Sequence, residues 1–129
     1  MTVGSFIFVS SKAKTILEAH EAHVEYYPVT LQYRGEELHE WCYLHLRTEL
    51  DCLDWEKTIL AGREYPLPEM VKHMVLRESV CNGHAIFRIA GTADIGVSDD
   101  LAQAIRSNKC TGTIFKKPED WRNPAVHYE

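Results

Sequence analysis

The sequence predicts an α+β fold in which two short helices, each capped by a serine, pack on a mainly antiparallel sheet. Three observations carry this. Apolar, β-favouring runs stand before, between and after only two helical patterns. Each helical pattern follows a strand directly through a serine, and the run from Trp41 to Trp55 alternates with the two-residue period of a half-buried strand.

Taken in order, Phe6-Ile7-Phe8-Val9 is the first short strand, and Ser10-Ser11 then offers a hydroxyl oxygen to a helix start. In SSKAKTILEAHEAH, Ala13, Ile16, Leu17 and His20 fall on one helical face, while Lys12, Lys14 and Glu18 stay in water. VEYYPV reads as a strand that lies near an edge or ends at Pro28, and Arg34-Gly35-Glu36-Glu37 reads as a turn. In WCYLHLRTELDCLDW the even positions Cys42, Leu44, Leu46, Thr48, Leu50 and Cys52 are largely apolar. His45, Arg47, Glu49 and Asp51 alternate with them. Leu53 breaks the alternation, so this strand is expected to end or bulge there. Asp54 is then placed to accept from the backbone of Glu56 or Lys57, with Trp55 covering the adjoining apolar surface.

A Gly62 turn and the Pro66 to Pro68 segment lead to MVKHMVL, which fits a strand or a helix equally. Asn82-Gly83 is a turn and HAIFRIAG a strand closed by Gly91. Ile95 and Val97, Ser98, the helical DDLAQAIRSN and the strand-like TGTIFKK then repeat the opening order. Ser10 matches Ser98, Ala13 matches Leu101, Leu17 matches Ile105, and Tyr26-Tyr27 match Ile114-Phe115 at constant offset. This suggests a duplicated strand-helix-strand unit, with Asp99 and Asp100 favoured by the unpaired N–H groups of the second helix start. Trp121 to Glu129 reads as a polar tail.

At 129 residues the chain is long enough for one domain, residues 1–129, with a real core. Hydrophobic content of 45% with 26% charged residues is globular composition and argues against disorder or a membrane span. The first apolar run is too short for a secretory signal, which points to the cytoplasm. Cys42, Cys52, Cys81 and Cys110 form no C-x-x-C pair and read as reduced core thiols. A formal charge of −5 repels phosphate backbones and argues against nucleic-acid binding, while it suits a basic protein partner.

No catalytic motif emerges. His20 and His23 have helical ligand spacing, but a helix ending there favours histidine for its charge alone. On a strand His39 and His45 project to one face and Cys42 to the other, so the three share no metal. There is no G-x-S-x-G, and GTADIG lacks the spacing and lysine of a P-loop. Glu49, Asp51, Asp54 and Glu56 could serve as acid–base carboxylates, or form a solvated acidic face. No catalytic residue, metal ligand or cofactor is assigned.

Four stretches, FVSSKAKTILEAHEAHVEYYPV, LDCLDWEKT, LRESVCNGHAIFRIAG and IGVSDDLAQAIRSNKCTGTIF, occur in an order that resembles the bacterial DUF-type immunity proteins classed as immunity family eleven of polymorphic toxin systems. The most telling parts are Asp51 to Asp54 with Trp55-Glu56, the Phe87-Arg88 pair, and Val97-Ser98 with Gly112 after the last helix. The resemblance implies a protein that binds and neutralises a cognate toxin or secreted effector. Relatives often carry an additional N-terminal segment. This sequence starts almost at its first Ser-capped unit, which leaves open whether a sheet edge is covered differently, for instance by a second copy in a homodimer.

The candidate contact residues are Glu49, Asp51, Trp55 and Glu56, with His39, Glu40 and Trp41 nearby in sequence. The competing reading is a small metal-dependent hydrolase using a histidine or acidic site.

Overall fold

A computed structural model describes residues 1–4, 8–20, 23–60, 71–110 and 115–123. Phe6, Ile7, Gly62, Pro66, Pro68, Met70, Gly112, Ile114 and the tail from residue 124 lie outside them. The chain runs β1 (Thr2–Gly4), β2 (Phe8–Ser10), α1 (Ser11–His20), β3 (Val24–Tyr33), β4 (Glu36–Leu46), β5 (Glu49–Leu50), β6 (Ile59–Leu60) and β7 (Val71–His73). There follow α2 (Glu78–Cys81), β8 (Ile86–Ile89), β9 (Ile95–Val97), α3 (Asp99–Ser107), β10 (Phe115–Lys116) and a 3-10 turn at Pro118–Asp120. This is the expected α+β arrangement, with mostly antiparallel pairing and a few short helices.

The two serine caps form as the sequence predicts, and with the same bond. Ser10 accepts from the Ala13 N–H at 3.2 Å, and Ser98 from the Leu101 N–H at 3.3 Å. Each satisfies one of the donors that a helix start leaves unpaired. The matched positions Ala13 and Leu101, and Leu17 and Ile105, are all buried. His20 is not on the packed face: it is exposed, with one ring nitrogen 2.9 Å from the Ile16 carbonyl, and so caps the end of α1.

The likeness of the two units extends to their topology. β2 and β3 both pair antiparallel with β4, in the order β2-β4-β3. β9 and β10 both pair antiparallel with β1, in the order β10-β1-β9. Each strand-helix-strand unit is thus split by an inserted antiparallel strand. That strand follows the first unit in the chain and, in the second, comes from the opening residues Thr2–Gly4, which composition alone does not reveal as a strand.

The long alternating run is two strands rather than one. β4 belongs to the three-stranded sheet, while β5 pairs parallel with β8 in the five-stranded sheet β10-β1-β9-β8-β5. The alternation nonetheless continues across the break: Cys42, Leu44, Leu46 and Cys52 are buried, and His45, Arg47, Glu49 and Asp51 exposed. Parity reports which side is wet, and it does not report which neighbour a strand pairs with. β3 runs well past Pro28, which sits in an edge strand as the lack of an N–H requires, and a register shift follows between Val29 and Leu31.

Two buried clusters hold the sheets. One gathers α1 and α3 over Val9, Cys42, Leu44, Leu46, Ile86, Ile95 and Val97. The other lies on the opposite face of the five-stranded sheet, with Val3, Cys52, Leu53, Val71, Met74, Cys81, Phe87, Ile89 and Trp121. Adjacent residues of β8 therefore serve different cores, Ile86 the first and Phe87 the second, as a strand buried on both faces must. Phe87 lies opposite Gly96, where any Cβ would come within 2.4 Å of its ring. MVKHMVL resolves as β7 followed by Met74 in the second core, and α2 is an additional one-turn helix. Trp121 is buried and donates to Asp94 at 2.9 Å, so the tail packs at least as far as this residue.

Candidate functional site

The stretch from Glu49 to Glu56 forms a corner where the chain leaves β5. Its polar groups are engaged one after another by the protein itself. Glu49 lies opposite Arg88 in the parallel ladder, and the guanidinium sits 2.7 Å from its carboxylate. The same guanidinium donates from Nε to the Leu46 carbonyl at 3.1 Å, so Arg88 ties the end of β4 to β5 and β8. Asp51 accepts from the Trp55 indole at 3.2 Å, and its carbonyl takes the Arg77 guanidinium.

Asp54 accepts from the Glu56 and Lys57 N–H groups at 3.1 and 3.3 Å, the Asx-type turn that its position predicts. Leu53 ends the strand region in an isolated bridge to Leu76. Trp55 lies across Gly91, whose φ of 90° and lack of a side chain both matter. A Cβ there would stand 2.7 Å from the indole. Of the corner carboxylates Glu56 is the one that is exposed and makes no side-chain hydrogen bond or ion pair among the described residues.

His39, Glu40 and Trp41 belong to β4, in the other sheet. His39 reaches Glu37 at 3.2 Å and the Thr30 hydroxyl at 3.4 Å. The Glu40 carbonyl takes the Ser11 hydroxyl at 3.3 Å. Trp41 sits between Ser10 and Val29 in the ladder, on the sheet face away from α1. The seven residues thus form two groups on two sheets. Between the two sheets lies a cleft of about 270 Å³, with Tyr43 to Leu46 on one wall, Glu49 and Arg88 on the other, and residues 90–95 closing it; of the seven, Glu49 lines it.

Three further residues share the outer face of β4 and are not singled out by the sequence. Phe8 and Tyr27 both lie opposite Tyr43 in register, one from each neighbouring strand. Their ring centroids stand 6.1 and 6.4 Å from that of Tyr43. All three are exposed, Phe8 at 36%, Tyr27 at 50% and Tyr43 at 38%. The Tyr27 hydroxyl donates to Glu25 at 2.5 Å, and Glu25 is also paired with Arg47. That hydrogen bond, more than Arg47, holds the Glu25 carboxyl below its usual range and pushes the Tyr27 phenol up. One signal was available: Trp41 and Tyr43 occupy the odd, wet positions of the alternating run, where a polar residue belongs.

Metal and nucleophile chemistry find little footing. α1 ends at His20, so His23 does not share a helical face with it. His45 lies on the opposite side of β4 from buried Cys42, whereas the register shift between Val29 and Leu31 turns His39 to the Thr30 side, so the expected shared face of His39 and His45 does not form. Among the described residues no three histidines, cysteines or carboxylates are grouped to hold a metal. Burial, reinforced by the neighbouring Cys81 thiol, pushes the Cys52 thiol up to about 12, which keeps it protonated and a poor nucleophile. A larger groove of about 1110 Å³ beside α3 is of mixed charge, with Glu78, Asp99 and Glu119 facing Arg106, Lys116 and Lys117. No helix of the described residues is long and apolar enough to cross a membrane.

No curated protein matches the chain. Among protein families, the immunity protein family Imm11 matches residues 1–120, a span that includes both capped helices, the corner and the aromatic face. The chain belongs to the immunity protein family Imm11.

Proposed function

We propose that this protein neutralises one cognate toxin or secreted effector of a polymorphic toxin system by binding it directly, in the cytoplasm of the bacterial cell that makes both. The observation that carries the reading is the family match over residues 1–120. The corner geometry supports it. Glu49 is ion-paired, Asp51 holds an indole, and Asp54 holds a turn, so these carboxylates serve the fold rather than acid–base chemistry. The formal charge of −5 supports a basic partner through long-range attraction. Of the seven candidate residues, Glu49, Asp51, Trp55 and Glu56 at the corner are read as serving the fold, and we place the contact surface on the side of β4, where His39, Glu40 and Trp41 lie.

The test is co-expression with the product of the adjacent toxin gene. The protein is expected to restore growth and to co-elute with the toxin as a defined complex in size-exclusion chromatography. Growth arrest that persists despite full expression of both, with no complex, overturns the reading.

A further inference from the structure

We infer that the toxin seats on the outer face of the three-stranded sheet β2-β4-β3, with an apolar knob against Phe8, Tyr27 and Tyr43 and basic side chains against the glutamates of the β3–β4 hairpin. The inference rests on the proposed toxin-binding function and narrows it to one surface and one partner chemistry.

The sheet is two-faced. Val9, Cys42, Leu44 and Leu46 face α1 and α3 and are buried. The same strands turn Phe8, Trp41 and Tyr43 the other way, where β3 adds Tyr27 and Val29. An antiparallel sheet with one wet face carries polar residues there, so a contiguous aromatic group departs from the pattern and marks an interaction surface. The rings are also held in place before any partner arrives. Phe8 meets Tyr43 edge-on, Tyr27 is tilted against it, and the Tyr27 hydroxyl is fixed by Glu25. Rigid aromatic side chains lose little conformational freedom on binding, which is why they anchor interfaces.

The rim supplies the charge. The end of the hairpin, residues 30–40, carries Glu36, Glu37 and Glu40 against one arginine, with Glu36 opposite Tyr33 on the ring face and Glu37 opposite Gln32 on the reverse. That arginine, Arg34, is stacked over Tyr33, and all three glutamates are exposed. An aromatic centre beside an acidic rim is complementary to an apolar knob ringed by lysine or arginine. A second copy of this chain would bring the same acidic rim against itself and is the poorer fit. Pro28 and the register shift at Val29/Leu31 likewise blunt the β3 edge against sheet extension.

The test measures binding of the purified, catalytically inactivated product of the adjacent toxin gene by surface plasmon resonance, with circular dichroism confirming that each variant is folded. The Tyr27→Ala/Tyr43→Ala double variant is expected to bind about a hundredfold more weakly, mainly through faster dissociation. Glu36→Lys/Glu37→Lys/Glu40→Lys is expected to slow association about tenfold, with the effect shrinking as salt is added. Glu49→Gln/Asp51→Asn/Glu56→Gln at the corner is expected to bind within about twofold of wild type, as near-neutral positions do.

Wild-type affinity in the tyrosine variant, with loss in the corner variant, overturns the inference while leaving toxin binding intact. A free protein that is dimeric in sedimentation and monomeric after Tyr27→Ala/Tyr43→Ala assigns the face to a second copy and also overturns it. If the wild-type protein does not bind the toxin at all, it is the proposed function that falls.

Discussion

The corner at residues 49–56 and the outer face of β2-β4-β3 both carry charged and aromatic residues, yet they are built in opposite ways. At the corner Glu49 meets Arg88, Asp51 meets the Trp55 indole, Asp54 holds two N–H groups, and Trp55 fills the space over Gly91. On the open face the three rings stand against one another and stay exposed, and neither buried cluster includes them. A dense cluster of functional-group types in sequence is therefore a poor guide to function here. The side chains with full internal employment build the fold, and those left over are the ones available to a partner.

The largest test of this division is at Gly91. Gly91→Val places a β-branched residue at φ 90° and drives its Cβ into the Trp55 ring. Backbone strain and overpacking together are expected to cost about 3 kcal/mol in urea denaturation. The molecules that remain folded should still protect against toxin. Next comes Arg88→Met, which leaves the part-buried Leu46 carbonyl without its donor and Glu49 without its counter-ion. Because the Glu49 pair is half exposed, most of the expected loss of about 1–2 kcal/mol falls on the carbonyl. A neutral outcome in either variant would mean that the corner is not built for stability.

Behind the corner, Cys52 extends the comparison into pH. Its thiol is raised to about 12 by burial and then by Cys81, so the folded state holds that proton more tightly than the unfolded chain does. A raised folded value contributes stability that is complete below the ordinary thiol range. It is lost as pH climbs from about 9 toward 12, at no more than about 1.4 kcal/mol per pH unit. Wild type is expected to lose about 1 kcal/mol more than Cys52→Ala between pH 8 and pH 10 by chemical denaturation. Equal losses in the two would show that the thiol is not sealed behind the corner.

What sequence reasoning recovers and what it misses divide along the same physical line. Ser10, Ser98 and Asp54 each bond to an N–H within three residues, so their roles are written in local order. The buried parity of Cys42, Leu44, Leu46 and Cys52 is likewise local. The pairing of Glu49 with Arg88 is not, since the two stand 39 residues apart. Nor is the transfer of β5 to a different sheet, because the alternation of wet and dry sides passes unbroken through Arg47 and Thr48. The aromatic face is assembled from three strands, so its members are scattered at positions 8, 27 and 43. Only the presence of Trp41 and Tyr43 on the wet parity hinted at it. The candidate residues accordingly include Trp41 from that face but omit the three rings, and His39 is turned to the other side by the register shift after Val29.

The smallest effect separates ring from hydroxyl on the open face. Tyr27→Phe keeps the aromatic surface and its tilted contact with Tyr43, and removes the hydrogen bond to Glu25. Glu25 keeps its ion pair with Arg47 near the surface, so the midpoint of chemical denaturation should barely move. With the hydrogen bond gone, the Glu25 carboxyl should titrate closer to its ordinary range, which an NMR pH titration of that side chain would read. Toxin protection should survive Tyr27→Phe and fail in Tyr27→Ala, because the partner meets the face of the ring rather than its oxygen. If both variants lose protection equally, the Glu25–Tyr27 bond itself holds the surface in its binding geometry, and the open face is positioned by its polar contacts as much as the corner is.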